Sequence, residues 1–374
     1  MLHVIYGTNP KSMVKEILET MTPEEGLPKK ALIGLKPNLV MAKPSTSGAT
    51  TSPKITAGII EYFQGKGFAN LLILESAWVG DSTLKAFDAC GYRELSRTYG
   101  VPLADLKKDK AVKLKAGGLE ISVCARALDV DFLVNIPVLK AHCQTRLTCA
   151  LKNLKGIIPD REKRRFHSLD LHKPIALLNK LVKTDLVIVD AIMGDLTYEG
   201  GGNPVEMGRI IGGRDAVLVD SYAAGLLGFL PGEIQYLTLA AGMGIGQLAT
   251  PHTPVREYRR ENRRAVSLKP SPRVKKLARR IVEKSACSPC YGALIHALMR
   301  LEEEGLLHRL PDNLYLGRDF QGEEGPYMGV GQCTAGFLKS IPGCPPKARD
   351  IFEYLKGETG QGDRYFVPQN KQNK

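Results

Sequence analysis

The chain has 374 residues, 43% of them hydrophobic and 24% charged, and a formal net charge of +13. That is the composition of an ordinary globular protein long enough for two domains, and no uninterrupted apolar run approaches the roughly 20 residues a membrane helix needs. The positive charge invites nucleic acid, but residues 256–284 alone hold twelve Lys or Arg against three Glu, with Tyr258 as the only aromatic and no nucleic-acid motif, so nucleic acid is not the expected partner.

The N-terminal Met1-Leu-His-Val-Ile-Tyr-Gly has neither the basic start nor the apolar run of a secretory signal, and the expected location is cytoplasmic, where thiols stay reduced. From there to about residue 250, short β-branched runs alternate with helical periods. Ala31–Lys36, Asn70–Glu75, Val130–Asn135 and Asp185–Asp190 read as strands, with Leu119–Ala125 and Arg209–Ile211 as further ones. Lys54–Gln64, Ser82–Cys90 and Asp220–Leu227 read as helices. Near-continuous apolar strands are those covered on both faces, so the expected fold class is α/β, a largely parallel open sheet with helices on both faces. The expected domains are an α/β domain over 1–252, a basic linker or helix over 253–284, and a small cysteine-rich metal-binding domain over 285–374. Within the linker, Arg259, Arg260, Arg263 and Arg264 have helical spacing, and Val274, Leu277, Ile281 and Val282 form a second amphipathic pattern.

In an open α/β sheet, ligands bind outside the carboxyl ends of the strands. The first predicted strand runs into Lys36-Pro-Asn38, the next ends at Glu75, and the Val130 strand leads through Asn135 to Lys140-Ala-His142. The Asp185 strand stops at Asp190, ahead of Glu199-Gly-Gly-Gly-Asn-Pro204. The densest stretch follows Lys140: Thr145, Thr148, Lys152, Asn153 and Lys155, with His167 downstream. Lysines and neutral hydrogen-bonding groups fit a small anionic ligand, a carboxylate or phosphate, while His142 and His167 are the side chains able to carry protons near neutral pH. Lys36, Asn38, Thr145, Lys152, Asn153, Lys155 and Glu199 are therefore candidate ligand contacts, and His142, His167, Lys140 and Asp190 candidate catalytic groups. The glycine run after Glu199 lacks a Walker lysine and reads as a turn or lid.

The last ninety residues carry Cys287-Ser-Pro-Cys290, Gly331-Gln-Cys333 and Gly343-Cys344-Pro-Pro. Four thiols that converge can hold a tetrahedral zinc ion or an iron-sulfur cluster, and unliganded or redox-active thiols are the third reading. A helix over Tyr291–Glu304 would aim its positive N-terminal end at Cys290, and a second over Lys347–Leu355 follows Cys344. Zinc ribbons usually show two Cys-x-x-Cys knuckles, and only one is present here.

Several of these elements resemble the family grouped as domain of unknown function 362. Its pattern is similar to Lys36-Pro-Asn38, Thr50-Thr-Ser-Pro53, Lys140-Ala-His142, Thr148, Lys152-Asn153 with Gly156, the isolated His167, Asp190, Glu199-Gly200 and Asp215-Ala-Val-Leu-Val-Asp220. Gly202-Asn-Pro204 departs from the Gly-Pro of many relatives. The family's association with iron-sulfur modules implies a [4Fe-4S] cluster on Cys287, Cys290, Cys333 and Cys344, with zinc as the alternative. Gly331-Gln-Cys333 and Pro342-Gly-Cys344-Pro-Pro are also similar, locally, to cluster-binding segments of hydrogenase small subunits. Together these imply an iron-sulfur oxidoreductase or electron-transfer protein with a redox partner protein. The alternative is a non-redox enzyme or binding protein with a structural metal.

Overall fold

The computed structural model describes residues 1–142, 145–169, 171–195, 204–263, 276–286, 288–344 and 346–360. They form two compact units, 1–269 and 270–374.

Unit one is built on a ten-stranded sheet. Its strands are β1 (Leu2–Tyr6), β2 (Ile33–Pro37), β3 (Leu71–Glu75), β4 (Leu103–Asp105), β7 (Phe132–Ile136), β8 (Val138–His142), β9 (Arg146–Thr148), β10 (Leu186–Asp195), β11 (Pro204–Gly213) and β12 (Val255–Tyr258), while β5 (Ala111–Ala116) and β6 (Leu119–Cys124) make a separate hairpin. The order is β12-β1-β11-β10-β7-β2-β3-β4, with β8 alongside β10 and β9 alongside β8. β4, β3, β2, β7 and β10 run parallel, and β11 opposes both β10 and β1.

Both faces are covered because the strands alternate between two apolar cores. Leu71 and Ile73 of β3, Val134 of β7 and Ile188 of β10 pack with the helices Pro10–Met21 and Pro53–Gly65; Leu72, Leu74, Leu133, Val187 and Val189 pack on the other side with His172–Leu181 and Ala216–Leu226. Each such side chain, fully buried, contributes roughly 1.5–3 kcal/mol. Helix starts follow local chemistry. Pro53 occupies the first turn of Pro53–Gly65, and the Asp215 carboxylate accepts the Leu218 N–H at 3.0 Å to cap Ala216–Leu226.

The basic segment departs from the expected linker helix. Val255–Tyr258 is a strand that pairs parallel with β1, so the chain stays in the first unit past residue 252. Arg259 turns with a positive φ, and its guanidinium meets Glu16, while Arg260 and Arg263 pair with Glu257. These arginines are anchored to their own sheet rather than arrayed on a helix. Arg264 and Val274 lie outside the described residues, and Ile281 and Val282, expected on a helix, belong to a strand.

That strand opens unit two: β13 (Ile281–Glu283), β14 (Leu314–Leu316), β15 (Gly325–Val330) and β16 (Phe337–Ile341) form a four-stranded sheet in that order, every pair parallel. Ser288–Glu303 links β13 to β14, and Ala348–Glu358 follows β16; Leu294, Leu298 and Leu301 of the first helix and Ile351, Phe352 and Leu355 of the second are buried. Tyr315, Phe320, Tyr327 and Phe337 add an aromatic cluster with ring centroids 4.5 to 5.7 Å apart. No helix among the described residues is long and apolar enough to cross a membrane.

Candidate functional site

In unit one, strand alternation turns Lys36 away from the face of Ile33 and Leu35, and the register sets it opposite Asn135 of β7. Lys36 is fully buried. Its ammonium donates to Glu75 Oε2 at 2.8 Å, the Pro37 carbonyl at 2.7 Å and Asn153 Oδ1 at 3.4 Å. Glu75 also accepts the Leu39 N–H at 2.9 Å and, through Oε1, the Ser76 N–H at 2.7 Å. Asn153 returns an N–H to Asn135 Oδ1 at 2.7 Å, and Asn135 donates to the Ala150 carbonyl at 2.9 Å. Burial pulls the Lys36 pKa down, against the attraction of Glu75.

Gly156 completes this network by having no side chain. A Cβ there would stand 2.0 Å from Glu75 Oε1 and 2.6 Å from Lys36 Nζ. The Lys152-Asn153-x-x-Gly156 spacing thus has a structural cause: Asn153 bonds the lysine, and Gly156 leaves room for the ion pair.

A second group lies beyond β8. Lys140, nearly inaccessible, donates to the Ala49 carbonyl at 2.7 Å; its cross-strand neighbours are Thr148 on β9 and the buried Asp195 on β10. Lys152 reaches the Thr148 hydroxyl at 3.1 Å. His142 is buried, and its Nδ1 accepts the Thr145 N–H at 3.1 Å, which leaves the ring proton on Nε2. Thr145 gives its hydroxyl hydrogen to the Leu147 carbonyl. Lys155 Nζ lies 3.1 Å from His167 Nε2. Asp190 accepts the Ser52 and Ile192 N–H groups at 2.7 and 3.1 Å, and burial pushes its carboxyl up to about 6 against those two bonds. Asn38 donates its backbone N–H to Thr51 Oγ1. Glu199, expected among the ligand contacts, lies outside the described residues, as does Cys143.

Of the sequence-predicted residues, Lys36 and Asn153 share one network with Glu75 and Asn135, Lys152 bonds Thr148 across from Lys140, and His142 with Thr145, Lys155 with His167, and Asp190 each make their own contacts. The described bonds of Lys36, Asn153 and Asp190 run to other parts of the protein. Lys163 was not foreseen. It sits 5% exposed on the helix Asp160–Ser168 and donates to the Ser76 and Ala77 carbonyls at 2.9 and 2.7 Å. Nothing in Asp160-Arg-Glu-Lys163-Arg-Arg separates it from its exposed neighbours except that Phe166 marks the inner face.

Burial lowers the Lys163 pKa from 10.5 to about 8. The unfolded chain then binds the extra proton between those two values, so this group's contribution to stability grows as pH rises through the window, by up to ~3 kcal/mol. Urea unfolding at pH 7.5 and 10.5 should show wild type gaining on Lys163→Met; equal pH responses would contradict it.

In unit two, the four parallel strands end on one edge, and the cysteines sit there. β13 leads into Ser285 and then the first turn of Ser288–Glu303, which holds Cys290, two residues further into the helix than its expected start. β15 ends at Val330, followed by Gly331 and then Cys333, and β16 leads to Gly343 and Cys344. Gly331 and Gly343 both take positive φ, 94° and 131°, which a side chain would strain. The turns are laced together: Gly331 N–H donates to the Ile341 carbonyl at 2.7 Å and Gln332 N–H to the Gly343 carbonyl at 2.9 Å. A Cβ on Gly331 would lie 3.7 Å from Cys290 Sγ. Burial raises the Cys333 thiol pKa and Cys344 raises it further, while the positive charge of Arg318 lowers it. Cys333 and Cys344 are free thiols. Cys287 lies outside the described residues, and among the described residues no three His, Cys, Asp or Glu side chains close on one point. Cys90, Cys124 and Cys149 are buried elsewhere, in unit one.

A groove of about 480 Å³ also opens on unit two, lined by Lys276, Arg279, Arg280, Glu302, His308 and Asp312 among others. It contains none of the predicted site residues, and Lys276 and Arg280 are ion-paired there with Glu302 and Asp312.

A largely parallel α/β sheet with charged groups buried at its strand ends, followed by a second parallel sheet with thiols at its own strand ends, defines a two-unit α/β protein. The chain belongs to the family described as domain of unknown function DUF362, which matches residues 33–225. A thylakoid-associated protein of Synechocystis is 25% identical over 236 residues, 59% of this chain and 70% of that protein. The lactate racemase apoprotein from Thermoanaerobacterium thermosaccharolyticum aligns in structure at 14% identity and a TM-score of 0.40, covering 60% of this chain and only 56% of that one.

Proposed function

We propose that this is a cytoplasmic iron-sulfur protein in which Cys287, Cys290, Cys333 and Cys344 hold a [4Fe-4S] cluster and unit one binds a small anionic ligand at its strand ends. The observation that supports the reading is proximity: a Cβ at position 331 would lie 3.7 Å from Cys290 Sγ, in the turn that leads to Cys333 and is hydrogen-bonded to the turn that leads to Cys344. Thiolates are soft donors suited to iron-sulfur clusters and zinc, and a helix N-terminus at Cys290 favours negative charge. When bound, such a cluster supplies one-electron transfer, which makes an oxidoreductase or electron-transfer role with a redox partner protein the leading function. Lys140, Lys152 and Lys155 supply positive charge for an anion, with His142 and His167 as proton carriers and Asp190 as a further candidate acid-base group.

Anaerobic purification tests the cluster: about four irons per chain and thiolate-to-iron absorbance are expected. Colourless protein with one zinc would overturn it. It would favour the second reading, a non-redox enzyme or binding protein whose metal only holds unit two together. The small buried core of unit two is consistent with that role.

A further inference from the structure

We propose that the groove of unit two binds a small phosphate ester, an inference independent of what the cysteines hold. The four strands of unit two run parallel, so their carboxyl ends, which the cysteines follow, and their amino ends lie at opposite edges of the sheet. The groove belongs to the amino edge. Arg280 immediately precedes β13 and Asn313 immediately precedes β14, and the Arg280 carbonyl accepts the Leu314 N–H at 2.8 Å, which joins the two strand starts. The last turn of the helix Ser288–Glu303 brings Glu302 to the lining, and the short turn Leu307–Arg309 brings His308. Between them Gly305 takes a φ of 71°, and no atom lies within 4 Å of where its Cβ would stand, so the groove is open on that side. At about 480 Å³ it has the volume of a small-molecule site.

Structural pairing accounts for some of the cations there and not for others. Lys276 donates to Glu302 at 3.1 Å, beside the helix end, whose carbonyls also favour positive charge. Arg280 is fixed by Asp312 at 3.0 Å and by the Leu310 and Pro311 carbonyls at 3.1 and 3.4 Å. Arg279 and His308 are exposed, and among the described residues no hydrogen bond or ion pair engages either of them, or the Asn313 amide. The lining therefore keeps one positive charge beyond its ion pairs, and a second when His308 is protonated. A guanidinium offers a planar fork of donors, and the imidazolium and amide add further N–H groups; this set suits the several oxygens of a phosphate better than the two of a carboxylate. Glu302 and Asp312 repel a bare anion but accept hydroxyl hydrogens. The ligand that fits both halves of the lining is thus a phosphate ester of a hydroxyl-bearing compound.

The experiment follows the seven histidines of the full-length chain by isotope-edited NMR from about pH 5 to 8, with glycerol 3-phosphate and with sodium chloride at the same ionic strength. His308→Gln assigns the His308 signal. A phosphate beside the imidazolium favours its charged form, so the ester should raise the His308 titration midpoint by about 0.5–1 pH unit, and Arg279→Gln should abolish that rise. An unmoved midpoint, a rise matched by sodium chloride, or the full rise persisting in Arg279→Gln would overturn the site. A response at His142 or His167 with none at His308 would do the same, by placing the ester in unit one. The remaining histidine signals report whether Arg279→Gln is folded. Should it not be, Asn313→Asp, which sets a further carboxylate in the groove, should abolish the effect of the ester, and a full rise there decides against the proposal equally.

Discussion

Glu75→Ala is expected to lower folding stability by about 3–5 kcal/mol, measured by urea unfolding at pH 7, because it leaves the Lys36 ammonium buried without its carboxylate. The loss is large against a typical domain stability of roughly 5–15 kcal/mol. Coulomb attraction is only part of the cause. Glu75 also accepts the Leu39 and Ser76 N–H groups, so the substitution strands two backbone donors just beyond β2 and β3. The double variant Lys36→Met/Glu75→Leu removes the charge as well as its partner and should be markedly more stable than Glu75→Ala. A Glu75→Ala loss under about 1 kcal/mol would mean that the pair is solvated in solution and the network as described is wrong.

Gly156→Ala should cost a comparable amount, about 2–4 kcal/mol, although it adds a single methyl group. That methyl would overlap Glu75 Oε1 and Lys36 Nζ. Long side chains on a surface would swing aside. Here both are buried and tied down by five hydrogen bonds, so relief of the overlap breaks the ion pair. The diagnostic measurement is a double-mutant cycle: in the Lys36→Met/Glu75→Leu background the same alanine should cost less by at least about 1 kcal/mol, since its steric partner has changed shape and lost its charge. Additive losses would place the strain elsewhere on the Asn153–Gly156 turn.

The strands of the main sheet were legible because burial on both faces demands unbroken apolar runs. Asn70–Glu75 and Val130–Asn135 fall within two residues of the observed strands at each end. β8 and β12 were not legible. They contain residues, Lys140 and Arg256, whose cross-strand partners Asp195 and His3 come from strands far away in the chain. The basic stretch misled for the same reason: spacing alone cannot show that Arg260 and Arg263 turn back onto Glu257. Unit two hid its sheet because three-residue strands such as Ile281–Glu283 are too short to display a period of two.

By itself the sequence determined the α/β class, the membership signalled by Lys36-Pro-Asn38 and Lys152-Asn153 with Gly156, and the supply of thiols near the C-terminus. These follow from residue type and local spacing, which chain chemistry fixes before any fold forms. Only the tertiary structure decided that Lys36 and Glu75, 39 positions apart, form a buried pair over Gly156. Burial and charge pairing depend on which strands become neighbours. That is set by crossovers between elements far apart in the chain, and no local pattern records it.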